Sequence, residues 1–239
     1  MYSSAFCKVY NEFGWNYFPE AFGEQLMIYL KQHAVTVRNS LDLACGPGVL
    51  CELLKRHGIA SAGMDFSEGM IAIARERDPE IPYEVADMIT YRPEQSFDLV
   101  TCTGDAMNHI TDLKDVDRIF QNVYGYLNPE GLFVFDILDD NEVALGDPID
   151  LVWDESVTAQ FMITQNSNGI ITLQVTVFEE GIEVFREKIT EIVHDRFAIC
   201  ELLRNNGFRI LRCDRKLLED QASEGMKWFV IAQKPGSAG

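Results

Sequence analysis

Apolar residues recur at helical spacing from Phe18 to His33, where Phe22, Leu26 and Leu30 share one face, and the chain then turns extended and apolar from Val37 to Leu43. Cys45-Gly46-Pro47-Gly48 breaks that strand. Val49 to Gly58 follows as a short amphipathic helix with basic residues in its last turn and Gly58 as its stop. The alternation continues with a strand at Ile59–Asp65, a helix at Ser67–Arg77 capped by Ser67, and strands at Tyr83–Val85 and Phe97–Cys102. A helix over Asp112–Leu127, with Val116, Ile119, Phe120 and Val123 on one face, leads to a strand at Leu132–Ile137. Strands separated by helices of this length specify a parallel sheet covered on both faces, a doubly wound α/β fold.

The pattern changes after Asp139. Leu151–Gln165, Ile170–Glu179 and Ile182–Val193 are three β-rich stretches broken by Asn166-Ser167-Asn168-Gly169 and Glu179-Glu180-Gly181. Ile171, Leu173, Val175 and Val177 alternate with Thr172, Gln174, Thr176 and Phe178, the period of a sheet with one face packed. Residues 139–194 therefore read as a three-stranded antiparallel insertion. Helical spacing returns at Asp195–Asn206, and strands at Phe208–Cys213 and Met226–Gln233 rejoin the main sheet, so 1–138 and 195–239 form one domain.

Charge removes one class of function. The chain has 38 Asp+Glu against 20 Lys+Arg, a net −18 that repels a phosphate backbone and argues against nucleic-acid partners. Hydrophobic residues make up 47%, enough for a substantial core, yet no run approaches the ~18 apolar residues of a membrane span. Met1 to Lys8 lacks the basic start and apolar stretch of a signal peptide, so a cytoplasmic location is expected. The six cysteines, at 7, 45, 51, 102, 200 and 213, form no C-x-x-C and have no histidine at ligand spacing. They read as buried thiols, not metal ligands. His33, His57 and His194 are scattered and read as surface residues.

The turn at Gly46-Pro47-Gly48 stands where the first strand hands over to a helix, so backbone N–H groups at a helix N-terminus can approach a nucleotide-like ligand. Asp65, 17 residues beyond Gly48 at the end of the second strand, stands where a carboxylate accepts both ribose hydroxyls. A dinucleotide fingerprint needs a third glycine where this chain has Cys51, and Pro47 separates the two it has, which disfavours NAD. No lysine followed by Ser or Thr comes after the turn, so it is not a P-loop.

Asp42-Leu43-Ala44-Cys45-Gly46-Pro47-Gly48 resembles the first motif of the class I S-adenosylmethionine-dependent methyltransferases. Met64-Asp65-Phe66-Ser67-Glu68-Gly69-Met70 is similar to the second, Ala86-Asp87-Met88 to the third, and Phe97–Cys102 and Leu127–Asp136 to the fourth and fifth. The resemblance implies a Rossmann-like, mostly parallel seven-stranded sheet with S-adenosyl-L-methionine as cofactor. It assigns Asp42 to the methionine half, Asp65 to the ribose, Phe66 and Met70 to the adenine faces, and Asp87 and Met88 to the adenine edge. Ala44, Gly46, Gly48, Thr103 and Asn108 join the implied cofactor set, and Tyr10 is a candidate for the cofactor carboxylate within an N-terminal lid.

Methyl transfer needs an aligned, unprotonated acceptor more than a nucleophilic triad. Thr103–Ile110 lacks the Asn/Asp-Pro-Pro-aromatic signature of nucleic-acid and glutamine methylation, so a small-molecule acceptor is expected. The resemblance to sugar-amine and glycine N-methyltransferases makes His109 and Tyr17 the catalytic candidates and an amine nitrogen the expected target. Asp105 and Trp153 are weaker acceptor-side candidates. The insertion would serve the acceptor pocket or a dimer contact, with the chain a monomer or homodimer. Asp136, Asp139, Asp140 and Asn141 are too contiguous for the divalent-metal site of catechol-type enzymes, and no metal is expected. Two alternatives stay open: a non-catalytic S-adenosylmethionine-binding regulatory module and an NAD-dependent oxidoreductase.

Overall fold

A computed structural model of the chain describes residues 6–7, 10–11, 16–139, 149–152, 157–166, 169–218 and 227–236, with the backbone alone described for 149–152 and 157. Trp153, Asp140 and Asn141, and residues 12–15 of the N-terminal aromatic stretch, lie outside them. Helix α1 (Tyr17–Gln32) precedes strand β1 (Asn39–Leu43), followed by α2 (Val49–Arg56), β2 (Ala60–Asp65), α3 (Glu68–Arg77) and β3 (Tyr83–Val85). Next come β4 (Phe97–Cys102), a 3-10 turn (Ala106–His109), α4 (Leu113–Tyr126) and β5 (Leu127–Leu138). After the insertion, α5 (Arg196–Asn205), β10 (Arg209–Asp214) and β11 (Lys227–Gln233) complete the main layer.

These elements make a seven-stranded sheet in the order β10-β11-β5-β4-β1-β2-β3. The five strands from β5 to β3 are parallel, and β11 runs antiparallel to both β5 and β10. Successive residues feed opposite cores, as pleating dictates. Val100, Phe133, Phe135, Val230 and Ala232 pack toward α4 and α5, while Leu99, Leu132, Val134, Phe229 and Ile231 pack toward α1 and α2. Both faces are covered, so even polar strand residues such as Ser40, Asp42, Thr101 and Asp136 are buried. Side-chain caps open three helices: Ser67 accepts from the Met70 N–H at 3.4 Å, Asp112 from Lys114 at 2.9 Å and Asp195 from Phe197 at 2.7 Å.

The insertion corrects one expectation: it is four-stranded. The stretch read as a single strand over 151–165 is two, β6 (Ile149–Val152) and β7 (Val157–Gln165), which pair antiparallel with each other and continue to β8 (Ile170–Glu179) and β9 (Ile182–Ile192). Its apolar face gathers Ala159, Phe161, Val175, Val177 and Ile189 around Phe6 from the chain's beginning. Burying Phe6, 1% exposed, contributes about 2–3 kcal/mol to holding the two together. His194, expected at the surface, is 5% exposed because its Nε2 bonds the Met107 carbonyl at 3.1 Å, between α5 and the 3-10 turn.

Gly48 caps α2 in the left-handed region, φ 78°, and a Cβ there would collide with the Tyr83 hydroxyl and approach its Cζ to 2.9 Å. Gly48→Ala therefore combines backbone strain with overpacking and is expected to cost about 2–4 kcal/mol, read as a lower urea midpoint at unchanged m.

Candidate functional site

At the carboxyl ends of β1, β2 and β4 lies a cavity of about 480 Å³, within the roughly 300–1,000 Å³ of small-molecule sites. Its first wall is the turn after β1. Ala44 and Gly46 both have positive φ, 53°, and a Cβ built on Gly46 meets no atom within 4 Å, so the turn presents bare backbone to the cavity. Asp65 ends β2 and ties this wall to the next: its carboxylate accepts from Gly46 N–H at 2.9 Å and Ser67 N–H at 2.8 Å. Burial raises the Asp65 pKa, and the amides of Ser67 and Gly46 oppose that rise. Phe66, half exposed, and Met70, buried in α3, stand beside it. Asp87, Met88 and Ile89 form the far rim, with Asp87 Oδ1 accepting from Ile89 N–H at 2.9 Å.

Thr103, Gly104, Ala106, His109 and Ile110 close the third side, and Tyr10 enters from the N-terminal segment. The remaining wall is Glu187, Lys188, Ile189 and Thr190 of β9. Sequence patterning gave β9 as a β-rich stretch, with nothing to show which residues face a cavity. Of the expected site residues, Tyr10, Ala44, Gly46, Asp65, Phe66, Met70, Asp87, Met88, Thr103 and His109 line this one space.

Four others stand back from it. Asp42 is 3% exposed and accepts from the Thr101 hydroxyl at 2.6 Å; burial pushes its pKa up to about 7 against that hydrogen bond. Gly48 serves helix packing against Tyr83. Asn108 is fully buried as a clamp, its amide donating to the Ile192 carbonyl at 2.7 Å and its carbonyl oxygen accepting from Leu138 N–H at 3.1 Å. Tyr17 opens α1 with 78% exposure, because the helix turns its buried face of Phe22, Leu26 and Leu30 inward instead.

Sequence reasoning also missed the ionic support beneath the third wall. Lys227, at the start of β11, lies 2.8 Å from Asp105 Oδ1 and 2.9 Å from Asp136 Oδ2, with Phe18's ring 3.9 Å from its Nζ. Asp136 further accepts from the Gly104 and Asp105 N–H groups at 2.8 and 3.1 Å. Burial works against the ammonium, but Asp136 and Asp105 outweigh it and raise the Lys227 pKa. The cluster fixes Asp105 in the left-handed region, φ 62°. A charged residue heading the apolar run Trp228–Ala232, opposite a strand containing Asp136, was the available signal. Asp139 is spent on Arg215.

Residues 41–131, which carry the first three walls of the cavity, match the family model described as a methyltransferase domain. Residues 41–131 are a methyltransferase domain by this match. The chain is 30% identical over 134 residues to a Geobacillus sp. (strain WCH70) protein that carries the name methyltransferase with no acceptor given, covering 54% of this chain and 53% of that one. It is also 30% identical over 96 residues to the dTDP-4-amino-2,3,4,6-tetradeoxy-D-glucose N,N-dimethyltransferase of Saccharopolyspora spinosa, 40% of this chain and 39% of that one. The matches thus span about half the length of these relatives or less. Among solved structures, an S-adenosylmethionine-dependent methyltransferase of Clostridium acetobutylicum superposes with TM-score 0.83 at 20% identity, over 97% of this chain and 98% of that one. S-adenosylmethionine-bound CalS10, an amino pentose methyltransferase of Micromonospora echinaspora, gives 0.77 at 18% identity, over 98% of both. At such identities the likeness is one of fold.

No described helix of the chain is long and apolar enough to cross a membrane. Lys227→Met would leave Asp105 and Asp136 buried without their cation. It is expected to cost about 3–5 kcal/mol in denaturant unfolding, well beyond a typical surface substitution.

Proposed function

We propose that this protein transfers a methyl group from S-adenosyl-L-methionine to the nitrogen of a small-molecule amine. The observation that carries the reading is the two-sided cavity: bare backbone, Asp65 and Asp87 on one side, and His109, Tyr10 and Glu187 on the other. When bound, the cofactor supplies an electrophilic methyl on a sulfonium. Gly46 would approach its methionine half, Asp65 its ribose, and Asp87 with Phe66, Met70 and Met88 its adenine. The chain's own contribution is then to exclude water, orient the acceptor and strip it of a proton.

His109 suits that last task. Burial lowers its pKa, so the ring is neutral near pH 7, and it faces the cavity from the third wall. The acidic lining favours a cationic amine: Asp65, Asp87 and Glu187 face the space against Lys188 alone among described lining residues. A small acceptor fits the cavity's volume, and the net −18 disfavours nucleic acid. The clamp of the 3-10 turn by Asn108 and His194 keeps His109 from drifting with the loop.

Titration calorimetry with S-adenosylhomocysteine and, separately, NAD tests the cofactor. Micromolar binding of the first and none of the second is expected; the reverse would replace the reading with an oxidoreductase. Asp65→Asn should weaken S-adenosylhomocysteine about tenfold or more, the worth of a hydrogen bond to a charged group. In a screen of amino sugars and amino acids as acceptors, His109→Ala should lower kcat by about a hundredfold or more while leaving S-adenosylhomocysteine affinity within threefold. Binding without turnover of any acceptor would favour a regulatory module.

A further inference from the structure

His109 does not stand alone in the cavity wall, because β9 runs beside its turn and engages both imidazole nitrogens. Nδ1 lies 3.2 Å from the Thr190 carbonyl oxygen, which only accepts, so Nδ1 carries the hydrogen and the lone pair falls on Nε2. Nε2 lies 3.8 Å from Glu191 Oε1, with the two side chains 29% and 14% exposed. The charged groups facing this pair come from four other elements. Asp105 follows β4, Asp65 ends β2, Asp136 lies on β5 and Lys227 starts β11. Three carboxylates around one ammonium leave little room for another negative charge.

We propose that Glu191 and His109 form one proton-accepting pair for the acceptor ammonium, Glu191 being a positioning residue that acts through His109. The proposal rests on the amine-methylating function above. In the step, one N–H bond of the ammonium breaks, its electron pair stays on nitrogen as the lone pair, and the proton goes to Nε2. The acceptor passes from +1 to neutral and the pair from −1 to neutral. Glu191 holds the resulting imidazolium, or takes its proton.

The protonation balance agrees with this geometry. Burial, then Asp105, pushes Glu191 up to about 7, while burial lowers His109 from its usual value, so the carboxyl overtakes the imidazole as the stronger holder of a proton. The accepting form is the deprotonated one. Turnover on an amine therefore rises with pH through about 7, and below that the pair already holds its proton. Without the Glu191 carboxylate, His109 accepts alone at its own depressed pKa, and the acid limb moves to lower pH.

The test is an NMR titration of the His109 ring in the full chain without acceptor, its signal assigned by loss in His109→Gln, paired with the pH profile of kcat on the most active amino sugar. In the native protein the ring should sense a transition near pH 7. In Glu191→Gln that transition and the acid limb should both move down by about a pH unit, with the plateau kcat about tenfold lower. Glu191→Asp should restore part of both. A Glu191→Gln protein that binds S-adenosylhomocysteine normally, yet titrates and turns over with an unmoved profile, overturns the pair. Should Glu191→Gln fail to bind S-adenosylhomocysteine, Glu191→Asp decides: a native-like transition supports the pair, and a ring blind to pH near 7 refutes it. Native protein that methylates no amine defeats the proposed function alone, since the ring titration still reads the pair.

Discussion

The buried ammonium of Lys227 organises the acceptor side. It ties the loop after β4, which belongs to no strand, to the paired strands β11 and β5. Desolvating a lysine and two aspartates is costly, and the cost is offset only because Asp136 also accepts two loop amides. The result is a loop with little freedom. Asp105 holds a left-handed conformation, the 3-10 turn begins directly after it, and His109 ends that turn.

A second constraint acts from the other side. Asn108 joins the end of β5 to the end of β9, so the insertion is fastened to the main sheet beside the turn that carries His109. Asp65 performs the same office for the cofactor half, linking the glycine turn to the start of α3. Rigidity of this kind is what a group-transfer site needs, because misplacing the acceptor by about an ångström costs orders of magnitude in rate.

Much of this was legible in the chain. The order of strands and helices followed from periodicity, since a doubly covered sheet leaves long apolar runs separated by amphipathic helices. Gly46, Asp65 and Asp87 stood out because strand-end positions in such sheets have few uses besides ligands. That Asp42 and Asn108 stand back from the cavity could not be read from the chain: a polar residue beside a functional loop can face the ligand or hold the loop, and spacing does not separate the two. The split of 151–165 escaped because both strands share one alternating pattern. Lys227, Glu191 and the β9 wall depend on contacts between segments far apart in sequence, which periodicity cannot reach.

The apolar face of the insertion sheet is completed by Phe6, whose ring lies 6.3 Å from that of Phe185, a residue far along the chain. Cys7, one residue on, touches Ser67 at 3.4 Å. Such a contact closes a long loop, so its entropy must be spent after local pairings have formed. The order of folding then mirrors the order of the site: the walls from β1 to β4 assemble from neighbouring βα units, and the wall from β9 is sealed after them, when the chain's beginning returns to meet its late strands.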